Sequence, residues 1–261
     1  MSNPETLNFE RRDRIAVITL NRPNEANGLN GPLAAELARA AAECDADAAL
    51  RAVVLTGNGR FFCAGGDVKA MADAGERVPA AIKRFADDLH RAIATFARMA
   101  PPLVVAVNGV AAGAGFSLAV AGDLVVASET ASFTMAYSNV GLSPDGSSTF
   151  YLPRLVGLRR AQELMYLNRK LSAAEALDWG LVHRVVAPAA LIDEALRLAQ
   201  TFVHGSPQSN AAIKKLLLAS FGNGLETQLE LEGRQIAACS GTPNGREGIR
   251  AFAEKRPPRF E

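Results

Sequence analysis

Short apolar runs occur at 14–20 (RIAVITL), 52–56 (AVVLT), 103–107 (LVVAV) and 124–127 (LVVA). Each is rich in β-branched residues and is closed by small or turn residues, such as Asn21-Arg22-Pro23-Asn24, Gly57-Asn58-Gly59 and Asn108-Gly109. This pattern predicts strands buried on both faces, as in a parallel sheet. Between them the period lengthens. Residues 32 to 44 are alanine-rich, with Leu33 and Leu37 four apart and Pro32 suited to a first helical turn. Residues 79–99 place Phe85, Leu89, Ile93 and Phe96 on one stripe, and Pro101-Pro102 stop that helix. Strands alternating with helices give an α/β layout.

After Pro144 the pattern is mostly helical. Ser172 and Glu175 are spaced as a capping box, in which hydroxyl and carboxylate satisfy each other's first-turn amides. Trp179-Gly180 ends that helix, and 182–186 is a last short strand. From Pro188 onward, 191–202, 207–221, 225–239 and 247–254 read as helices with apolar stripes. The expected division is a core at 1–190 and a helical tail at 191–261, packed on that core or on a sister subunit.

Composition narrows the function classes. Of 261 residues, 49% are hydrophobic and 21% charged, so the chain can bury a large core. Lys and Arg number 28 against 27 Asp and Glu, which leaves no general basic field for nucleic acid. Cys44, Cys63 and Cys239 are far apart and show neither disulfide nor zinc spacing. The opening MSNPETLNFERRDR lacks the apolar stretch of a secretory leader. Residues 99–122 carry no charge and are long enough to span a bilayer. Their Pro101, Pro102, Gly109, Gly113, Gly115 and Gly122 instead suit a buried strand, a glycine turn and a buried helix. The expected setting is a reducing cytoplasm, with no membrane partner.

Two glycine-rich segments are the sharpest chemical features: Phe61-Phe62-Cys63-Ala64-Gly65-Gly66-Asp67, and Asn108-Gly109-Val110-Ala111-Ala112-Gly113-Ala114-Gly115. Each follows an apolar strand. Neither has the order of a Walker loop or a dinucleotide fingerprint. The second puts small residues where a helix begins, and free amides there favour negative charge. Two such loops can aim two amides at one oxygen; they can equally serve tight strand-to-helix packing.

FFCAGGDVKAM and AVNGVAAGAGFSLAVAGDLVVAS resemble the two signature segments of the crotonase (enoyl-CoA hydratase/isomerase) superfamily. The likeness continues through SFTMAYSNVGLSPDGSSTFYLPRLVG, LSAAEALDWGLVHRVV and GREGIRAFAEKRPPRF, in order over nearly the whole chain. It implies a spiral of repeated ββα units with a C-terminal helical subdomain used in trimerisation, often as a dimer of trimers. It also implies an acyl-CoA thioester as substrate, with CoA arriving as part of it and no separate cofactor or metal. The family's oxyanion-hole amides fall on Gly66 and Ala114, which would stabilise a thioester enolate.

The resemblance also bears on the reaction. The positions of the two hydratase glutamates fall on Ser117 and Tyr137, neither of them acidic. Asp145, in Gly141-Leu142-Ser143-Pro144-Asp145-Gly146, lies where the family's isomerases place their acid. The pattern is nearest to the phenylacetate-pathway ring-epoxide and enoyl-CoA isomerases, so an isomerase with Asp145 as acid/base is the leading expectation. The 4-chlorobenzoyl-CoA dehalogenases are also similar. They match an aspartate to Asp145 and a histidine to His90, whereas their tryptophan wall falls on Tyr137 and their hole glycine on Ala114. His90 and Tyr137 are thus secondary catalytic candidates. The other readings are a hydratase with an unusual acid set, a thioesterase, and an acyl-CoA binder without catalysis.

For the CoA end the resemblance implies Arg22 and Lys69 near the nucleotide, Lys255 and Arg256 reaching in from the tail, and backbone groups at Ala64 and Val68 around the adenine. Asp67 is expected to structure its loop. Residues 71–81 and the tail helices should shape the acyl pocket, with Leu142 and Phe150 near Asp145.

Overall fold

The computed structural model describes residues 6–261; the start of the opening segment lies outside the described residues. In chain order the elements are β1 (Leu7–Arg12), β2 (Ile15–Leu20), α1 (Gly31–Ala46), β3 (Ala52–Gly57), β4 (Phe61–Cys63), α2 (Val68–Ala72), α3 (Val78–Arg98), β5 (Leu103–Val107), β6 (Val110–Ala112) and α4 (Ala114–Val120). Then follow β7 (Leu124–Ser128), β8 (Ser132–Thr134), α5 (Ser148–Val156), α6 (Leu158–Leu167), β9 (Leu171–Ser172), α7 (Ala173–Asp178), β10 (Arg184–Val186), α8 (Leu191–Val203), α9 (Pro207–Ser220), α10 (Leu225–Ser240) and α11 (Pro243–Ala253).

Successive ββ pairs divide between two sheets. The larger runs β1-β2-β3-β5-β7-β10 and the smaller β4-β6-β8-β9. In the larger sheet only β1 is antiparallel; β2, β3, β5, β7 and β10 are parallel, paired as Ile15 with Ala52, Val53 with Leu103 and Val104 with Leu124. Alternation along each strand then gives two buried faces. Ala16, Ile18, Val53, Leu55, Val105 and Ala127 enter the main core, while Ile15, Val17, Val54, Val104, Ala106 and Val126 face the other way. Leu191, Ala195, Leu198 and Ala199 of α8 close that second face. The packing therefore runs through residue 190: the first helix of the tail is a layer of the sheet.

Local chemistry fixes the element ends. The Asn30 side chain accepts the Leu33 N–H at 3.0 Å to start α1, and Ser172 and Glu175 form the capping box of α7. The α3 stripe of Phe85, Leu89, Ile93 and Phe96 is buried against α1 and the sheet. Three short strands, β4, β6 and β8, were not legible. Each has three residues beside a turn, too few to show a period of two. β10 begins later than its apolar run, because the His183 ring Nδ1 accepts the Val125 N–H at 3.0 Å. The uncharged stretch becomes β5, β6 and α4, and no helix among the described residues is long and apolar enough to cross a membrane.

Candidate active site

The ends of β4 and β6 lie back to back, and glycine is what permits it. Gly65 has φ +96°, and a Cβ there would stand 2.8 Å from the Ala112 carbonyl oxygen. A Cβ on Gly115 would stand 2.1 Å from the Cys63 carbonyl oxygen. On the outer side, Leu29 donates to the Gly65 carbonyl at 2.7 Å and accepts from the Asp67 N–H at 2.9 Å. In such a parallel bridge the intervening residue turns its own N–H away from the partner strand. The Gly66 N–H is so turned, and it makes no backbone hydrogen bond among the described residues. Ala114 opens α4, ahead of the first intrahelical bond, from Ser117 N–H to the Gly113 carbonyl at 3.0 Å. Its N–H belongs to the first turn, which has no intrahelical acceptor.

Gly66 and Ala114 line one cavity of about 400 Å³. Its walls include Ala64, Val68, Met71, Phe85 and Leu142, and Asp145, Tyr137 and His90 reach into it from the other side. Seven of the sequence-predicted positions therefore meet in one place: Gly66, Ala114, Asp145, His90, Tyr137, Ala64 and Val68. Phe150 instead belongs to a neighbouring cavity, where it packs on Tyr151 and Phe221.

The polar end of the cavity is a hydrogen-bonded cluster. Tyr137 donates to Asp145 Oδ1 at 2.5 Å, and Ser117 Oγ donates to the Asp145 backbone carbonyl at 2.8 Å while lying 3.3 Å from the Tyr137 hydroxyl. Burial, and then the charge of Asp145, push the Tyr137 phenol well above its ordinary value, so it stays a donor. His90 Nε2 accepts the Gly146 N–H at 3.2 Å and lies 3.4 Å from Asp145 Oδ2. The ring is about half exposed (48%), whereas the Asp145 side chain is 26% exposed. A carboxylate thus stands in one cavity with the Gly66 and Ala114 N–H groups, an arrangement able to move protons next to a carbonyl whose oxygen takes up charge.

A family model described as enoyl-CoA hydratase/isomerase matches residues 10–261. The chain belongs to that family. It is 38% identical over 251 residues to the 1,2-epoxyphenylacetyl-CoA isomerase of Escherichia coli (strain K12), covering 94% of each chain. It is 33% identical to 4-chlorobenzoyl coenzyme A dehalogenase-1 of an Arthrobacter species, covering 95% of this chain and 91% of that one. Its fold matches the crystal structure of an enoyl-CoA hydratase from Polaromonas sp. JS666 with a TM-score of 0.93 at 35% identity, over 98% and 99% of the two chains.

In this enoyl-CoA hydratase/isomerase family chain the cations implied for CoA are placed unequally. The Arg22 guanidinium bonds the Gly28 carbonyl and sits 3.1 Å from Asp67 Oδ2, with 14% of the side chain exposed. It braces the loop. Asp67 caps α2 by accepting the Ala70 N–H at 3.1 Å, as its loop-structuring role requires. Lys69 is exposed next to the cavity-lining Val68 and has no carboxylate partner among the described residues. Lys255 is exposed, and Arg256 is held by Glu247 and Glu254; neither lines the cavity. Met71, at the start of the 71–81 segment expected to shape the acyl pocket, does line the cavity, and its Cε stands 2.3 Å from where a Gly66 Cβ would be; sequence reasoning missed Ser117 as a support of Asp145. It also missed Lys83 and Ala86, which share the cavity-lining face of α3 with Pro79 and His90 and which the three-to-four spacing beside the buried stripe could have revealed.

Proposed function

We propose that this chain is an enoyl-CoA isomerase. The carrying observation is that Asp145 is the only carboxylate lining the cavity among the described residues, and it shares that cavity with the Gly66 and Ala114 N–H groups. The Asp145 carboxylate takes a proton from the carbon next to the thioester carbonyl. The electron pair passes into the carbonyl, and the enolate oxygen is held by Gly66 and Ala114, each donor lowering the barrier by about 3 kcal/mol. The protonated Asp145 then delivers its proton two carbons further along, so the double bond moves by one position. The same groups serve an isomerisation that opens an epoxide next to the thioester. Water addition by paired carboxylates is disfavoured, because Ser117 and Tyr137 occupy the relevant positions and both are bonded to Asp145.

A hydrolytic aryl-CoA reading, with Asp145 as nucleophile and His90 activating water, is favoured by one observation: His90 Nε2 stands 3.4 Å from Asp145 Oδ2. Incubation with trans-3-hexenoyl-CoA, crotonyl-CoA and 4-chlorobenzoyl-CoA, followed by product identification, tests both. The isomerase reading expects trans-2-hexenoyl-CoA from the first and little or no product from the others. Chloride release from the third, or efficient hydration of the second, overturns it.

In this reading Lys69 meets the CoA phosphates, with Lys255 and Arg256 reaching in from the tail of a neighbouring subunit, and CoA comes and goes with the substrate. The assembly is a trimer or a dimer of trimers. Its support is the exposed apolar surface of the tail and its surroundings, including Leu217, Leu225, Leu229, Ile236 and Phe252. Light scattering giving a monomeric mass would remove the oligomer.

A further inference from the structure

We infer that His90 links the Asp145 carboxyl to solvent in a second cavity, so that the proton carried between substrate carbons exchanges with water before it is returned. The inference rests on the isomerase reading and concerns what Asp145 does while protonated. Asp145 and His90 line two cavities at once. One is the cavity of Gly66 and Ala114; the other, of about 420 Å³, is bounded by Ile93, Ala97 and Arg98 of α3, by Thr149 and Phe150 of α5, and by Leu218 of α9. His90 and Asp145 are the residues that the two cavities share.

The two carboxylate oxygens have different neighbours. Oδ1 receives the Tyr137 hydroxyl, which stays protonated and so cannot take a proton away. Oδ2 faces His90 Nε2 at 3.4 Å. That nitrogen accepts the Gly146 N–H, which requires a lone pair on Nε2 and puts the ring proton on Nδ1. The same lone pair lies 3.4 Å from Oδ2, so by turning from the Gly146 N–H to Oδ2 it becomes an acceptor for the acid form of Asp145. The ring is about half exposed and lines both cavities, which gives it access to water.

The proton count closes. Asp145 gains the proton from the substrate carbon as the enolate forms, and the Oδ2–H bond then breaks as an N–H bond forms at His90 Nε2. The imidazolium passes that proton to water in the second cavity and takes another from water. This one returns to Asp145 and then to the substrate carbon. Nothing is oxidised or reduced. His90 touches Asp145 and not the reacting carbons, so it acts through Asp145.

The test is turnover of trans-3-hexenoyl-CoA in D2O, with the deuterium in the trans-2 product measured by mass spectrometry at early conversion. We expect most wild-type product to carry a deuteron. His90→Gln keeps an acceptor for Gly146 N–H but takes no proton near neutral pH, and should lower the labelled fraction at least fivefold. In His90→Ala, added imidazole should restore it. The labelled fraction is read per product molecule, so a merely structural loss of rate does not move it. Equal labelling in wild type and His90→Gln, or wild-type product without label, overturns the relay alone. No conversion of substrate overturns the isomerase reading and the relay with it.

Discussion

The Tyr137 hydroxyl stands 2.5 Å from Asp145 Oδ1 and 3.3 Å from Ser117 Oγ, so the Asp145 carboxylate is held by a donor that burial keeps protonated. A hydrogen bond to a charged group contributes about 1.5 kcal/mol or more. Tyr137→Phe keeps the ring and removes the hydroxyl's contacts with Asp145 and Ser117. Steady-state kinetics should show kcat reduced about tenfold with KM nearly unchanged. An unchanged kcat would remove Tyr137 from the cluster's work.

Asp145→Asn removes the proton acceptor and keeps the shape. Isomerisation should fall by about a thousandfold or more, the range of a lost general base. Acyl-CoA affinity by calorimetry should stay within a fewfold of wild type, because the group is needed in the transition state rather than for binding. An Asn variant that turns over at the wild-type rate would transfer the role to His90.

Ala114 offers a clean deletion of one N–H. It is the first residue of α4, where proline is tolerated. Ala114→Pro should fold normally by circular dichroism and lose about a hundredfold in kcat, corresponding to about 3 kcal/mol of oxyanion stabilisation. Full activity in a folded variant would mean that the enolate oxygen is held elsewhere.

Asp67 sets an acid limit on the loop. Burial pushes its carboxyl up, but the Ala70 N–H and the Arg22 guanidinium outweigh this and hold it below the ordinary 3.8. A depressed carboxyl stabilises the fold at pH values above the unfolded-state pKa, and that contribution is lost as pH falls through the folded one. Asp67→Asn should therefore cost about 1 kcal/mol at pH 7. The gap between the melting temperatures of variant and wild type should close as pH drops below 3.8. A gap constant across that range would deny the linkage.

Burial pushes the Cys44 and Cys63 thiols up to about 12. Only the thiolate reacts readily, so neither should be alkylated by iodoacetamide at pH 8 in the native protein, and both should be in denaturant. Native-state labelling of Cys63, read by peptide mapping, would show that the β4 end opens.

The sequence by itself determined the repeating layout and the identities at the cavity. Continuous apolar strands can be buried only on both faces, and the stripe from Phe85 to Phe96 can be buried only on one side of a helix; the structure has both. Gly65 and Gly115 were legible as close approaches, because side chains there would collide with backbone oxygens. Pairings between residues far apart in the chain were not legible. Position 22 is cationic in the sequence, yet its charge is taken by Asp67, 45 residues on. His90 becomes a neighbour of Asp145 only because α3 passes the loop before α5, and the 3.4 Å between them is a property of packing rather than of spacing. Local periodicity is written in neighbouring side chains, whereas the direction in which an arginine or histidine points is decided by what the folded chain brings opposite it.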